Sequence, residues 1–273
     1  MPPIHEIVEL VALLAIAGAI AGFLAGLFGI GGGAVLVPVF YQAFAMAGVA
    51  DDIRMKLCVG TSLAIIIPTS LRSFQSHYKR GAVDMTLLRK WIIAVPFGAV
   101  ASTLVIAYAP GALLRGVFAV LTLLIGLKML YPKSAEWRLG DDLPENPALF
   151  GYGWFIGLLS GLIGIGGGTL NNTFMTLFNR PIHQAVATSA GVGVLISLPS
   201  FIGNIVGGWA KPGLPALSTG YVNWVAVALI IPITFAIAPL GVRAAHALTK
   251  RQLSFGFGIF LLIISARFFY SFF

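Results

Sequence analysis

Ten apolar runs divide this chain, near residues 7–28, 34–49, 57–71, 91–108, 113–131, 148–164, 169–179, 185–206, 223–241 and 253–271. A helix needs about 20 apolar residues to cross the hydrocarbon of a bilayer, and most of the runs approach that length. Backbone groups find no water in hydrocarbon, so a spanning run of this kind is helical. Composition agrees: of 273 residues 58% are hydrophobic and 10% charged, against about 25% charged in soluble domains. A soluble fold of this size cannot cover that much apolar surface. The fold class is therefore an all-α membrane protein, a polytopic helical bundle of about eight to ten membrane segments. The runs at 34–49 and 169–179 are short or interrupted, by Pro38 and by Asn171–Asn172, and read as half-helices.

Several function classes drop out. The single cysteine, Cys58, leaves no intramolecular disulfide and no cysteine-clustered metal site. Neither a His-Glu-x-x-His run nor a phosphate-binding Gly-x4-Gly-Lys-Ser/Thr run is present, so zinc hydrolysis and ATP-driven pumping have no local signature. No cofactor, metal or enzymatic activity is expected. The net charge of +8 sits in short loops between apolar runs, where it orients the chain in the membrane and calls for no nucleic acid. Met1-Pro-Pro-Ile-His-Glu6 lacks the cationic start of a secretory signal, and the first run reads as a retained span.

The two halves match each other. Residues 18–33 against 153–168 agree at ten of sixteen positions, among them Gly18, Gly22 and Gly26 on Gly153, Gly157 and Gly161. Thr61-Ser62 corresponds to Thr188-Ser189, and Gly81-Ala-Val-Asp84 to Gly220-Tyr-Val-Asn223. That order of matches implies duplication: a first transmembrane repeat over 1–131, a polar cytoplasmic linker over 132–147, and a second repeat over 148–273. Five crossings per half invert the second repeat. They place twelve Lys and Arg on one side and five on the other, which names the first side cytoplasmic and sets both termini outside. If the short runs instead dip in and return, eight crossings leave the repeats parallel. The clean charge split favours inversion.

The strongest chemical signal is Gly29-Ile-Gly31-Gly32-Gly33 and its copy Gly164-Ile-Gly166-Gly167-Gly168. Adjacent glycines cost about 1 kcal/mol each in a helix interior, so the helix breaks there. A break that opens a new helix exposes free N–H groups at the positive end of a dipole, which is an anion site. Paired discontinuous helices of this kind hold substrate near the membrane midplane in transporters. The spacing Gly18, Gly22, Gly26 and its copy give close helix packing, and the two stripes are candidates to face each other. The hydroxyls of Thr61, Ser62, Thr188 and Ser189 either donate to an anion or return to a carbonyl one turn back. Asn171, Asn172 and Asn204 are amides in apolar surroundings, and the first two follow a glycine break directly. Acidic residues all fall in loops or span ends, so a carboxylate relay or sodium site at the centre of the bilayer is not expected.

Gly26-Leu-Phe-Gly-Ile-Gly-Gly-Gly33, its copy Gly161-Leu-Ile-Gly-Ile-Gly-Gly-Gly168 and the Thr-Ser pair after each resemble the sulfite exporter TauE/SafE family. Gly81-Ala-Val-Asp84, Arg115, and Pro239-Leu-Gly241 leading to His246 extend the resemblance over essentially the whole chain. It implies a prokaryotic inner-membrane permease for sulfite, sulfonates and related organosulfur anions. It carries the substrate-binding positions onto Gly29, Gly31, Gly32, Gly33, Gly164, Gly166, Gly167 and Gly168, and the hydroxyl pairs onto Thr61, Ser62, Thr188 and Ser189. One departure stands out: Asn171-Asn172-Thr173 replaces the apolar, proline-containing stretch typified by Val37-Pro38. The expected function is secondary transport of a small sulfur-containing anion, with or without a proton, by a monomer or homodimer. An anion channel of the same fold and a membrane-embedded scaffold or enzyme subunit are the alternatives.

Overall fold

The computed structural model describes residues 11, 12, 14–16, 18–24, 33–131, 137–246 and 248–272. Among the described residues ten helices follow in chain order: α1 (Leu14–Leu24), α2 (Gly33–Met46), α3 (Asp51–Lys79), α4 (Met85–Tyr108), α5 (Gly111–Leu130), α6 (Ala148–Ile163), α7 (Gly168–Leu177), α8 (Ile182–Gly207), α9 (Trp224–His246) and α10 (Lys250–Tyr270). They coincide with the ten apolar runs. A two-residue hairpin, β1 (Ser218–Thr219) with β2 (Val222–Asn223), interrupts the otherwise helical chain before α9.

Local sequence sets the helix starts. Asp84 caps α4 by accepting from Leu87 N, and Thr249 with Gln252 forms a capping box on α10, each meeting an orphan first-turn N–H. Asn223 does the same for α9 through Ala226 N. Helices α3, α4, α5 and α8 are long and apolar enough to cross a bilayer. At about 1.5 Å per residue, the 14 residues of α2 and the 10 of α7 reach about 21 and 15 Å, short of about 30 Å of hydrocarbon. They are half-helices, as their sequences imply.

Contacts along the helices give their directions. On α3 and α8, Gly60 lies against Asn204, Ser70 against Gly193 and Phe74 against Gly191, so the two run antiparallel. On α5 and α10, Ala119 O accepts from Ser265 Oγ and Gly126 faces Gly258, again antiparallel. Gly153 on Trp91, Gly157 on Val95 and Gly161 on Ser102 make α6 parallel to α4. Gly18 on Ile230 and Gly22 on Thr234 make α1 parallel to α9. The glycine stripes therefore do not face each other, contrary to the sequence expectation: each lies on a helix of the other half. The stripe encodes close approach, but the partner is chosen by the far surface.

The α4–α6 seam is the tightest of these. A side chain on Gly98 meets Trp154 O, and one on Gly157 meets Val95 O, both rigid backbone atoms. Trp91 Nε1 donates to Leu149 O (2.9 Å) to fix the register. Gly157→Leu is expected to cost about 1–3 kcal/mol by overpacking and to lower the detergent melting temperature by about 3–9 °C. A wild-type melting temperature would refute this account of the seam.

Candidate functional site

The second glycine break is built as a cap followed by a new start. Gly164 ends α6 in the left-handed conformation (φ 67°), its N–H bonding back to Gly161 O and Ser160 O. Ile165 N donates to Ser160 O (3.0 Å), which closes the last turn. Gly167 is again left-handed (φ 74°) and opens α7, with Asn171 N on Gly167 O (2.8 Å). The N–H groups of Gly166, Gly168, Thr169 and Leu170 take no acceptor among the described residues, as the first turn of a helix dictates.

This turn sits deep. A methyl group built on Gly166 would lie 2.8 Å from Ile66 Cγ2 and 3.7 Å from Gly193 Cα. Ile66 and Gly193 are near the middle of α3 and α8, the two longest helices. Gly33, which opens α2, packs on the same turn: a Cβ there would stand 2.6 Å from Gly164 O and 2.8 Å from Ile165 Cα. The two half-helices thus begin at one place. Gly29, Gly31 and Gly32 lie outside the described residues.

The remaining candidates divide into two groups. Ser62 Oγ donates to Gly164 O (2.9 Å) and tightens the turn. Ser189 Oγ donates to Asn172 Oδ1 (2.7 Å) and accepts from Asn171 Nδ2 (2.7 Å), a buried chain beside the first turn of α7; Gly168 O lies 3.4 Å from the same hydroxyl. These residues gather at the break. Thr61 and Thr188 do not contact it in the same way. Thr61 Oγ1 accepts from Asn223 N (3.0 Å), and Thr188 Oγ1 from Asp84 N (2.9 Å). Each threonine holds the residue that caps a helix of the other half. Asn204 is also elsewhere, with its Nδ2 on Ser200 O (2.8 Å).

Two serines that the sequence reading did not single out flank the turn. Ser70 Oγ of α3 is 3.7 Å from the Cβ position of Gly166, and Ser160 Oγ of α6 is 3.6 Å from that of Gly167. Ser160 Oγ is fully buried and has no hydrogen-bond partner among the described residues. A serine inside an apolar helix reads as one more small packing residue, so its sequence carries no signal. The buried polar side chains described are Ser, Thr and Asn, beside the phenol of Tyr221 and the thiol of Cys58; none is a carboxylate or a cation. No group of three His, Cys, Asp or Glu able to hold a metal occurs among the described residues. The positive potential at the turn therefore comes from backbone dipoles, about half a unit charge at a helix N-terminus.

The far ends of the half-helices are tied to the rest of the bundle. From α2, Tyr41 OH donates to Asp51 Oδ1 (3.1 Å) and accepts from Arg115 Nη1 (2.9 Å). Asp51 also pairs with Arg54 (2.8 Å) and Arg115 (2.6 Å). At the end of α7, Leu177 O accepts from Leu139 N (2.8 Å), and Arg180 pairs with Asp142 (2.6 Å). Both Leu139 and Asp142 belong to the polar segment between the halves.

A bundle of apolar helices with two half-helices meeting at a deep, uncharged, donor-rich turn defines a multi-pass membrane transporter. The chain belongs to the sulfite exporter TauE/SafE family, whose model matches residues 14–268. It is 32% identical to a "Probable membrane transporter protein" of Haemophilus influenzae, over 95% of this chain and 98% of that one. It is 29% identical to a protein of the same description from Methanocaldococcus jannaschii, over 91% of each chain. A third relative, from Bacillus subtilis and described alike, is 25% identical over 95% of this chain and 97% of its own. No solved structure matches the chain.

Proposed function

We propose that this transporter carries a small sulfur-containing anion, sulfite or a sulfonate, across the cytoplasmic membrane by alternating access. The observation that carries the reading is the start of α7: four N–H groups without acceptors among the described residues, midway along α3 and α8, beside the unpartnered hydroxyl of Ser160. Oxyanion oxygens satisfy such donors, whereas a cation would need the carboxylates that the buried set lacks. Gly164, Gly166, Gly167, Gly168, Asn171, Asn172 and Ser189 form one side of the site. Gly33 opens the other, and Gly29, Gly31 and Gly32, outside the described residues, are assigned to it from the sequence repeat alone.

Antiparallel pairing of α3 with α8 and of α5 with α10 supports two inverted repeats, 1–131 and 148–273, joined by a linker over 132–147. Rocking one repeat against the other about the glycine turns would alternate access, with the half-helices held at their surface ends by the Tyr41–Asp51–Arg115 cluster and the linker. The ends of α3, α5 and α9 that meet the linker side bear Lys79, Arg80, Lys128 and Arg243, which supports a cytoplasmic linker and termini outside. Export of an anion from a negative interior gains about 2.3 kcal/mol per charge per 100 mV and needs no coupling ion.

Charge movement in proteoliposomes challenged with sulfite, methanesulfonate, sulfate and chloride tests the reading, with a pH-gradient flux assay for electroneutral transport. Saturable movement of sulfite or methanesulfonate, absent in empty liposomes, is expected. Unsaturated conductance for all four would replace the carrier with a channel, and silence in both assays would overturn the substrate class.

A further inference from the structure

We infer that the site takes its anion as a singly charged, hydrogen-bearing species whose hydrogen is donated to Asn171 Oδ1. This rests on the anion-site reading above and narrows it.

Asn171 turns its amide nitrogen toward two acceptors, Ser189 Oγ and Met175 Sδ. Ser189 Oγ accepts from the amide NH2 of Asn171 (2.7 Å), and its one hydroxyl proton goes to Asn172 Oδ1 at 2.7 Å, with Gly168 O a second acceptor at 3.4 Å. The amide nitrogen of Asn171 reaches Met175 Sδ at 3.5 Å. Asn171 Oδ1 is left fully buried with no partner among the described residues. An unmet buried acceptor is costly, and only a donor relieves it. A bare oxyanion offers none. A hydrogen-bearing oxyanion presents oxygens to the N–H groups of Gly166, Gly168, Thr169 and Leu170 and its own hydrogen to Asn171.

Charge points the same way. Among the described residues the buried set contains no cationic side chain, and a helix N-terminus supplies about half a unit charge. That offsets much of one negative charge, while a second, unpaired in the interior, is expensive. The corresponding positions of the first half are Leu36 and Val37, both buried, so this acceptor exists on one side of the site only. The proton then crosses on the substrate and is released to water where the anion dissociates, and no titratable side chain has to carry it.

The test is flux into proteoliposomes of sulfite, which titrates between singly and doubly charged forms, and of methanesulfonate, a monoanion with no hydrogen to give. Each is measured at fixed total concentration from below to above the second pKa of the acid. Wild-type sulfite flux is expected to fall roughly tenfold per pH unit above that pKa, with methanesulfonate flat. In Asn171→Leu, which installs the residue found at 36, the ratio of sulfite to methanesulfonate flux at low pH is expected to fall about tenfold. Sulfite flux that holds level or rises with pH would show that the dianion is carried and would overturn the inference. An unchanged flux ratio in folded Asn171→Leu would overturn it as well. If that variant does not fold, the wild-type pH series decides alone. If neither anion moves at any pH, the anion site itself falls and this inference with it.

Discussion

Gly167→Val is expected to abolish anion binding, and Gly167→Ala to weaken it at least about tenfold. A Cβ on Gly167 would lie 2.5 Å from Ile196 Cδ1 and 3.1 Å from Val192 Cγ1, 3.6 Å from Ser160 Oγ. It would thus stand where the turn opens toward the unpartnered hydroxyl. Two effects then mix: occlusion of the donors, and the strain of a side chain at φ 74°, about 1–2 kcal/mol. Gly48→Ala separates them. Gly48 has φ 73° and nothing within 4 Å of its Cβ position, so it carries the same strain in open space, at the end of α2 remote from the turn. Binding of sulfite by isothermal titration in detergent, corrected for the folded fraction, is expected to drop for Gly167→Ala and hold for Gly48→Ala. Equal losses in both would reduce the role of Gly167 to backbone strain.

The glycine turn was legible because it is chemically extreme. Three adjacent glycines break a helix, and the half-helices that follow, α2 and α7, fall on the two runs that read as short or interrupted, 34–49 and 169–179. The helices themselves followed from apolar runs whose lengths the bilayer dictates. Partnerships were not legible. Gly81-Ala-Val-Asp84 and Gly220-Tyr-Val-Asn223 were visible as a matched pair, yet nothing local says that Asn223 N donates to Thr61, 162 residues away. The same holds for Gly157, whose stripe announces a close neighbour without naming α4. Ser70 and Ser160 stayed hidden for a different reason: a hydroxyl in an apolar helix usually bonds its own backbone. Only packing shows that Ser160 Oγ does not.

Thr61→Val and Thr188→Val are expected to lower stability while sparing anion affinity, which decides between an anion ligand and the acceptor role across the two halves that replaces the expected bond to a carbonyl one turn back. Each oxygen is the acceptor for the backbone N–H of a helix-capping residue, Asn223 for Thr61 and Asp84 for Thr188. Valine keeps the shape and the β-branch but removes the acceptor, leaving that N–H unmet at about 1–3 kcal/mol. The Thr61 bond is fully buried and the Thr188 bond only partly, so Thr61→Val is the worse of the two. A melting temperature about 3–9 °C lower in detergent is expected for it, with Thr61→Ser near wild type because serine retains the acceptor. Sulfite affinity per folded molecule is expected to stay within about twofold, less than the tenfold that 1.4 kcal/mol would bring. A valine variant that melts like wild type and no longer binds would make the hydroxyl a ligand. Since each threonine holds a loop of the opposite half, loss of one bond also loosens the joint across which the two halves would rock. A transport rate that falls further than the folded fraction, at unchanged affinity, is the signature of that joint.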